Sequence, residues 1–170
     1  MSVKGLKEVL QSLKVFGDVA AKEIGQATKD IAKEIEADAK KLAPSNLGTL
    51  RKTIHNEKVD ELNYKVVSPA DYSAYVEFGT GKKVSVPSEL SELASKFKGK
   101  GGGFEKGLQS IKDWCRNKGI DESAAYPIFM SILRNGIRPQ PFMYPAWKKG
   151  QTQYVIDLKD LLKDLTKKYN

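Results

Sequence analysis

Cysteine and histidine are almost missing from this chain: each occurs once, as Cys115 and His55. A single cysteine excludes an internal disulfide framework and fits a reducing compartment, with a buried structural thiol as its expected role. A single histidine, with no cysteine and no clustered carboxylates near it, excludes the paired-histidine zinc motifs; His55 is expected as a surface or satisfied strand residue. No apolar run approaches the ~20 residues that cross a bilayer. Residues 1–16 carry Lys4, Lys7, Glu8 and Lys14 where a secretory leader is continuously apolar. The expectation is therefore a soluble protein made inside a cell. A nucleophile elbow, a Cys-x-x-Cys pair, the lysine-serine/threonine end of a P-loop and any motif-placed acid pair are also absent, so no catalytic residue, cofactor or metal is expected.

At 170 residues the chain is long enough to bury one core without metals or disulfides, and a single domain over 1–170 is expected. The formal net charge of +8 favours contact with polyanions. The lysines, however, are interspersed with acids along apparent helices, which is the pattern of an ordinary solvated face.

Helical periodicity dominates the reading. Leu6, Val9, Leu10 and Leu13 make an apolar stripe, and Gly17 is read as its end. Asp18 then caps a second helix whose Ile24, Thr28, Ile31, Ile35, Ala39 and Leu42 recur at three- and four-residue steps until Pro44. The cluster Ala43 to Thr53 reads as a turn. Two strands follow, Lys52 to Val59 and the alternating Leu62, Tyr64 and Val66, joined at Asp60-Glu61.

The stretch Asp71 to Gly81, DYSAYVEFGTG, reads as a helix of one to two turns, with Asp71 as cap and Gly79 in the left-handed position that stops it. A flexible polar loop over about 82–104 ends in Lys98-Gly-Lys-Gly-Gly-Gly103, which is expected to be mobile. A helical insertion over about 105–136 follows: Glu105 to Lys118, stopped by Gly119, then Ser123 to Asn135, capped near Asp121 and stopped by Gly136. Pro139, Pro141 and Pro145 stiffen the segment around Phe142, Met143 and Tyr144, and Pro145 suits the first turn of a closing helix. Trp147, Tyr154, Leu158, Leu161 and Leu165 stripe that helix. The fold class expected is α+β: long N- and C-terminal helices packed on a small antiparallel sheet, with the helical insertion.

Three blocks carry a resemblance: Ala39-Lys-Lys-Leu-Ala-Pro44 followed by Gly48-Thr-Leu-Arg-Lys-Thr-Ile54; Tyr72-Ser-Ala-Tyr-Val-Glu-Phe-Gly-Thr80; and Arg138-Pro-Gln-Pro-Phe-Met-Tyr-Pro-Ala146. Together, in this order and spacing, they resemble the gene-product-ten-like head-to-tail joining (neck or tail-completion) family of long-tailed bacteriophages. What the resemblance implies is a non-enzymatic structural subunit of a phage or prophage virion, made in the bacterial cytoplasm and placed as a ring at the head-tail junction. The implied partners are further copies of the chain, adjacent neck, connector or tail-terminator proteins, and non-specific contact with DNA in the channel; no membrane is implied. The implied interaction and structural residues are Tyr72, Tyr75, Glu77, Phe78, Gly79, Thr80, Arg138, Pro141, Phe142 and Pro145. The alternative is a DNA-binding module using the helix-turn-helix-like pair 105–135. Against it, Ala124, Ala125, Ile128, Phe129 and Ile132 leave few polar groups to reach base edges.

Within these blocks two packing expectations stand out. Tyr75, Phe78 and Phe142 come together, because the central helix and the proline segment are each too short and aromatic to be stable alone. Glu77, an acid in an apolar and glycine-rich setting, is costly to bury unless a guanidinium or backbone donors meet it, and Arg138, within one subunit or across a ring contact, is the expected partner.

Overall fold

The computed structural model describes residues 3–44, 49–70, 72–96 and 103–169. The chain divides into two compact units, and its class is α+β.

The first unit comprises residues 1–38, 55–67 and 145–170. Its spine is helix α1 (Val3–Leu42), unbroken over 40 residues and so about 60 Å long. The expected break at Gly17 does not occur. One glycine inside a helix costs only about 1 kcal/mol, whereas ending and restarting the helix adds a second costly nucleation. A Cβ at Gly17 would meet nothing within 4 Å, so packing exerts no opposing force there.

The closing helix, labelled α7 (Met143–Tyr169), runs antiparallel to α1. Tyr154 Oη lies 2.6 Å from Thr28 Oγ1, and Lys149 Nζ donates to Asp38 at 2.5 Å. Between these pairs, Gly150 lets Ile35 rest against its backbone, since an added Cβ would overlap Ile35 Cγ1. Partner numbers fall along α7 as they rise along α1.

Strands β1 (His55–Lys58) and β2 (Tyr64–Val67) pair antiparallel, His55 opposite Val67 and Lys58 opposite Tyr64. Asp60 makes the turn, accepting from the Leu62 amide at 2.9 Å. A two-stranded hairpin is marginal alone, and this one is pinned to α1: Glu36 accepts from the Asn56 amide at 2.9 Å and also from its side-chain amide. Gly25 permits the close approach, because a Cβ there would sit 2.6 Å from the Glu61 carbonyl oxygen. His55 is a satisfied strand residue, its Nε2 2.8 Å from Glu57.

The second unit comprises residues 39–54 and 68–144. The strand expected from Lys52 begins instead at His55, because residues 49–53 are helical, labelled α2 (Thr49–Thr53). Leu50 and Ile54 are buried on its inner side, and Arg51 Nε donates to the Ala43 carbonyl at 2.6 Å, a cation on the carbonyl end of α1. The turn residues Ser45 to Gly48 lie outside the described residues.

Helix α3 (Ser73–Phe78) follows, as expected for the central stretch; its expected cap, Asp71, also lies outside the described residues. Residues 81–83 and 88–90 form single 3-10 turns, and Ser91–Ser95 is a short helix, α4. The expectation of mobility for Lys98 to Gly103 concerns residues outside those described, except Gly103, which opens α5 (Gly103–Lys118).

Helices α5 and α6 (Ala125–Asn135) form a tight pair. Gly107 makes room for the Phe129 ring, which meets Phe104 edge-on at 5.1 Å, and Cys115 and Ala125 are fully buried. Asp121 Oδ1 accepts from the Ser123 amide at 2.8 Å, and Lys112 and Arg116 both pair with Glu122 across the connection. Among the described residues, no helix is long and apolar enough to cross a membrane.

Candidate functional site

The central helix and the proline segment meet within the second unit, and the meeting is made chiefly of hydrogen bonds. Ala74, Glu77 and Phe78 share the buried face of α3, the i, i+3, i+4 spacing of one helical side. Glu77 Oε2 accepts from the amides of Phe142 and Met143 at 2.8 and 2.9 Å, and Oε1 accepts from the Tyr144 amide at 2.9 Å. These three donors open helix α7. The next residue, Pro145, has no N–H to satisfy, so a single carboxylate more than sixty residues away in sequence serves the first turn of a 27-residue helix. The positive end of the helix dipole adds to the attraction.

Within the single chain this arrangement takes the place of the expected pairing with Arg138. Arg138 is exposed, and its side chain makes no hydrogen bond or ion pair among the described residues. Backbone donors win because they are already fixed in the right direction by the helix, whereas a guanidinium brought to the same carboxylate would itself have to be desolvated. A double-mutant cycle on Glu77→Gln and Arg138→Met should accordingly give a coupling within about 0.5 kcal/mol of zero in the isolated chain. Coupling above about 1 kcal/mol would restore the salt bridge.

Around this centre the backbone is laced together. The Gln140 amide donates to the Val76 carbonyl at 2.8 Å, the Thr80 amide to the Ile137 carbonyl at 3.0 Å, and Thr80 Oγ1 accepts from the Ile137 amide at 2.8 Å. Two glycines make this approach feasible. Gly79, at φ 75°, would bring a Cβ within 2.8 Å of the Ile137 carbonyl; Gly136, at φ 70°, would drive one into the Thr80 carbonyl. The positive φ expected at Gly79 is present, but its ψ of −176° is extended rather than left-handed helical. Gly136→Ala should cost about 1–3 kcal/mol from the backbone conformation alone, with the overlap adding to it. An unchanged urea midpoint would show that this contact does not hold the segments.

The remaining residues sort by burial. Phe142 is fully buried and Phe78 nearly so, while Tyr75 is half-buried and Pro141 and Pro145 are exposed. Tyr72, 38 % exposed, reaches the backbone of Leu50; burial pushes its phenol above the usual value and that hydrogen bond offsets part of the rise. Tyr144 Oη donates to Glu89 at 3.3 Å. Sequence reasoning missed Arg51 and the three amides that hold Glu77. The signal for the amides was available: a proline in the first turn of a helix, with an acid in an apolar segment elsewhere.

Residues 7–79 match the family model described as "Bacteriophage HK97-gp10, putative tail-component". Over these residues the chain is similar to the gene-product-ten-like family. The family segment runs from α1 to Gly79 and so contains Glu77, while the amides that Glu77 binds lie beyond it. No curated relative and no solved structure matches the chain. That family is described as one of putative phage tail components.

Proposed function

We propose that the protein is a subunit of the head-tail junction of a phage or prophage, assembling as a ring that joins the capsid connector to the tail. The observation that carries this reading is the family match over α1 to α3, the part of the chain that ends in the Glu77 lock. A rigid centre suits a subunit that must hold defined surfaces toward several neighbours. The first half of α1 also fits this use: Val9, Leu10, Leu13 and Val15 are all about half exposed or more, apolar area that association would cover. The reading assigns no catalysis to the chain. The alternative, sequence reading by the α5–α6 pair, gains no separate support, since Phe129 and Ala125 of α6 are spent on packing.

Light scattering on the eluting full-length protein tests the reading, first alone and then with the neighbouring connector and tail-terminator proteins. A single species at a fixed multiple of 18.9 kDa, annular by electron microscopy, is expected. A monomer or dimer under both conditions would overturn it.

A further inference from the structure

The chain's excess positive charge is concentrated in one part of it. The second unit holds 15 lysines and arginines against 8 acids, or +7 of the total +8. Within that unit, a cleft of about 430 Å³ opens beside the end of α6, lined by Lys82, Lys83, Ser131, Arg134, Asn135 and Gly136. The carbonyl end of a helix by itself repels anions. Here Lys83 Nζ already donates to the Gly136 carbonyl at 3.2 Å, so that end is matched. Lys82 and Arg134 are left with no carboxylate partner among the described residues, and no acid lines the cleft. Ser131 Oγ accepts from Asn135 Nδ2 at 3.1 Å, which leaves the serine proton for an incoming acceptor. Two unpaired cations and a hydroxyl donor converging on one solvent-open cleft are the recognition set for a phosphate group.

We propose that this cleft binds phosphate groups of the duplex DNA backbone, without reading sequence. The inference deepens the junction reading, in which the ring surrounds the path of the DNA, but the contact itself belongs to the single chain. Backbone contacts of this kind fix position and carry no base information, which also agrees with the scarcity of polar groups along α6.

The test measures binding of a fluorescein-labelled 20-base-pair duplex to the full-length protein by anisotropy, between 50 and 200 mM sodium chloride. The variant Lys82→Gln with Arg134→Gln is compared with a control of equal net charge in the first unit, Lys22→Gln with Lys159→Gln. All four side chains are exposed, and circular dichroism checks that each variant folds. Each lost phosphate contact lowers the slope of log K against log salt by about 0.9, so the cleft variant should lose about 2 from the slope and bind on the order of tenfold or more weakly at 50 mM salt. The control should keep its slope. Equal losses in both variants, or no binding by the unaltered protein, would overturn the proposal. Displacement of the duplex by inorganic phosphate, at matched ionic strength, would assign the cleft to free phosphate and overturn the duplex assignment. Light scattering on the same samples separates the two ideas: assembly without DNA binding sinks this inference alone, and DNA binding through the cleft without assembly sinks the ring alone.

Discussion

Glu77→Ala is expected to destabilise the protein by about 3–5 kcal/mol, read as a fall in the urea midpoint at unchanged slope. The truncation removes the acceptor of three amides at once, and the Phe142 and Glu77 ends of that contact are both buried. Each buried donor left without a partner costs about 1–3 kcal/mol, reduced where water reaches the vacated space. Water entry at the half-buried Met143 and Tyr144 amides keeps the sum below three full penalties. Glu77→Gln should lose roughly half as much. One amide oxygen remains to accept, but its NH2 faces a backbone N–H, donor against donor. A loss below about 1 kcal/mol for the alanine variant would mean that the start of α7 is satisfied by water and that Glu77 is not its cap.

Phe142→Ala should cost a comparable 3–5 kcal/mol, for a different reason. The ring is among the largest fully buried side chains, with 0 % of its surface exposed, so its removal loses the transfer energy of the aromatic and leaves a cavity. Its backbone amide still donates to Glu77 in the variant, so the hydrogen-bonded lock is untouched. Phe142→Leu should lose less than half as much, because most of the volume is kept. The two sites are in contact, and the double variant Glu77→Ala with Phe142→Ala should depart from additivity by 0.5 kcal/mol or more. A change of a few tenths of a kcal/mol for Phe142→Ala would place the ring on the surface, open to a neighbour.

Local chemistry determined much of this protein from the sequence alone. Glycine stops gave the ends of α5 and α6, the Asp60 turn gave the hairpin, and apolar spacing gave the long terminal helices, because each of these effects acts within a few residues. The resemblance carried by the Tyr72 to Thr80 block led to the family that residues 7–79 match. Three things were decided only by tertiary structure. Gly17 sits inside α1 because helix propagation costs less than a second nucleation, a balance that no local stop signal reports. Glu77 belongs to the amides of residues 142–144 rather than to Arg138, because main-chain donors have no sequence signature and their direction exists only once α7 is formed. The lysines look evenly mixed with acids along the chain, yet folding gathers nearly all of the excess into one unit. Charge density is a property of what lies together in space, and segments far apart in the chain compose it.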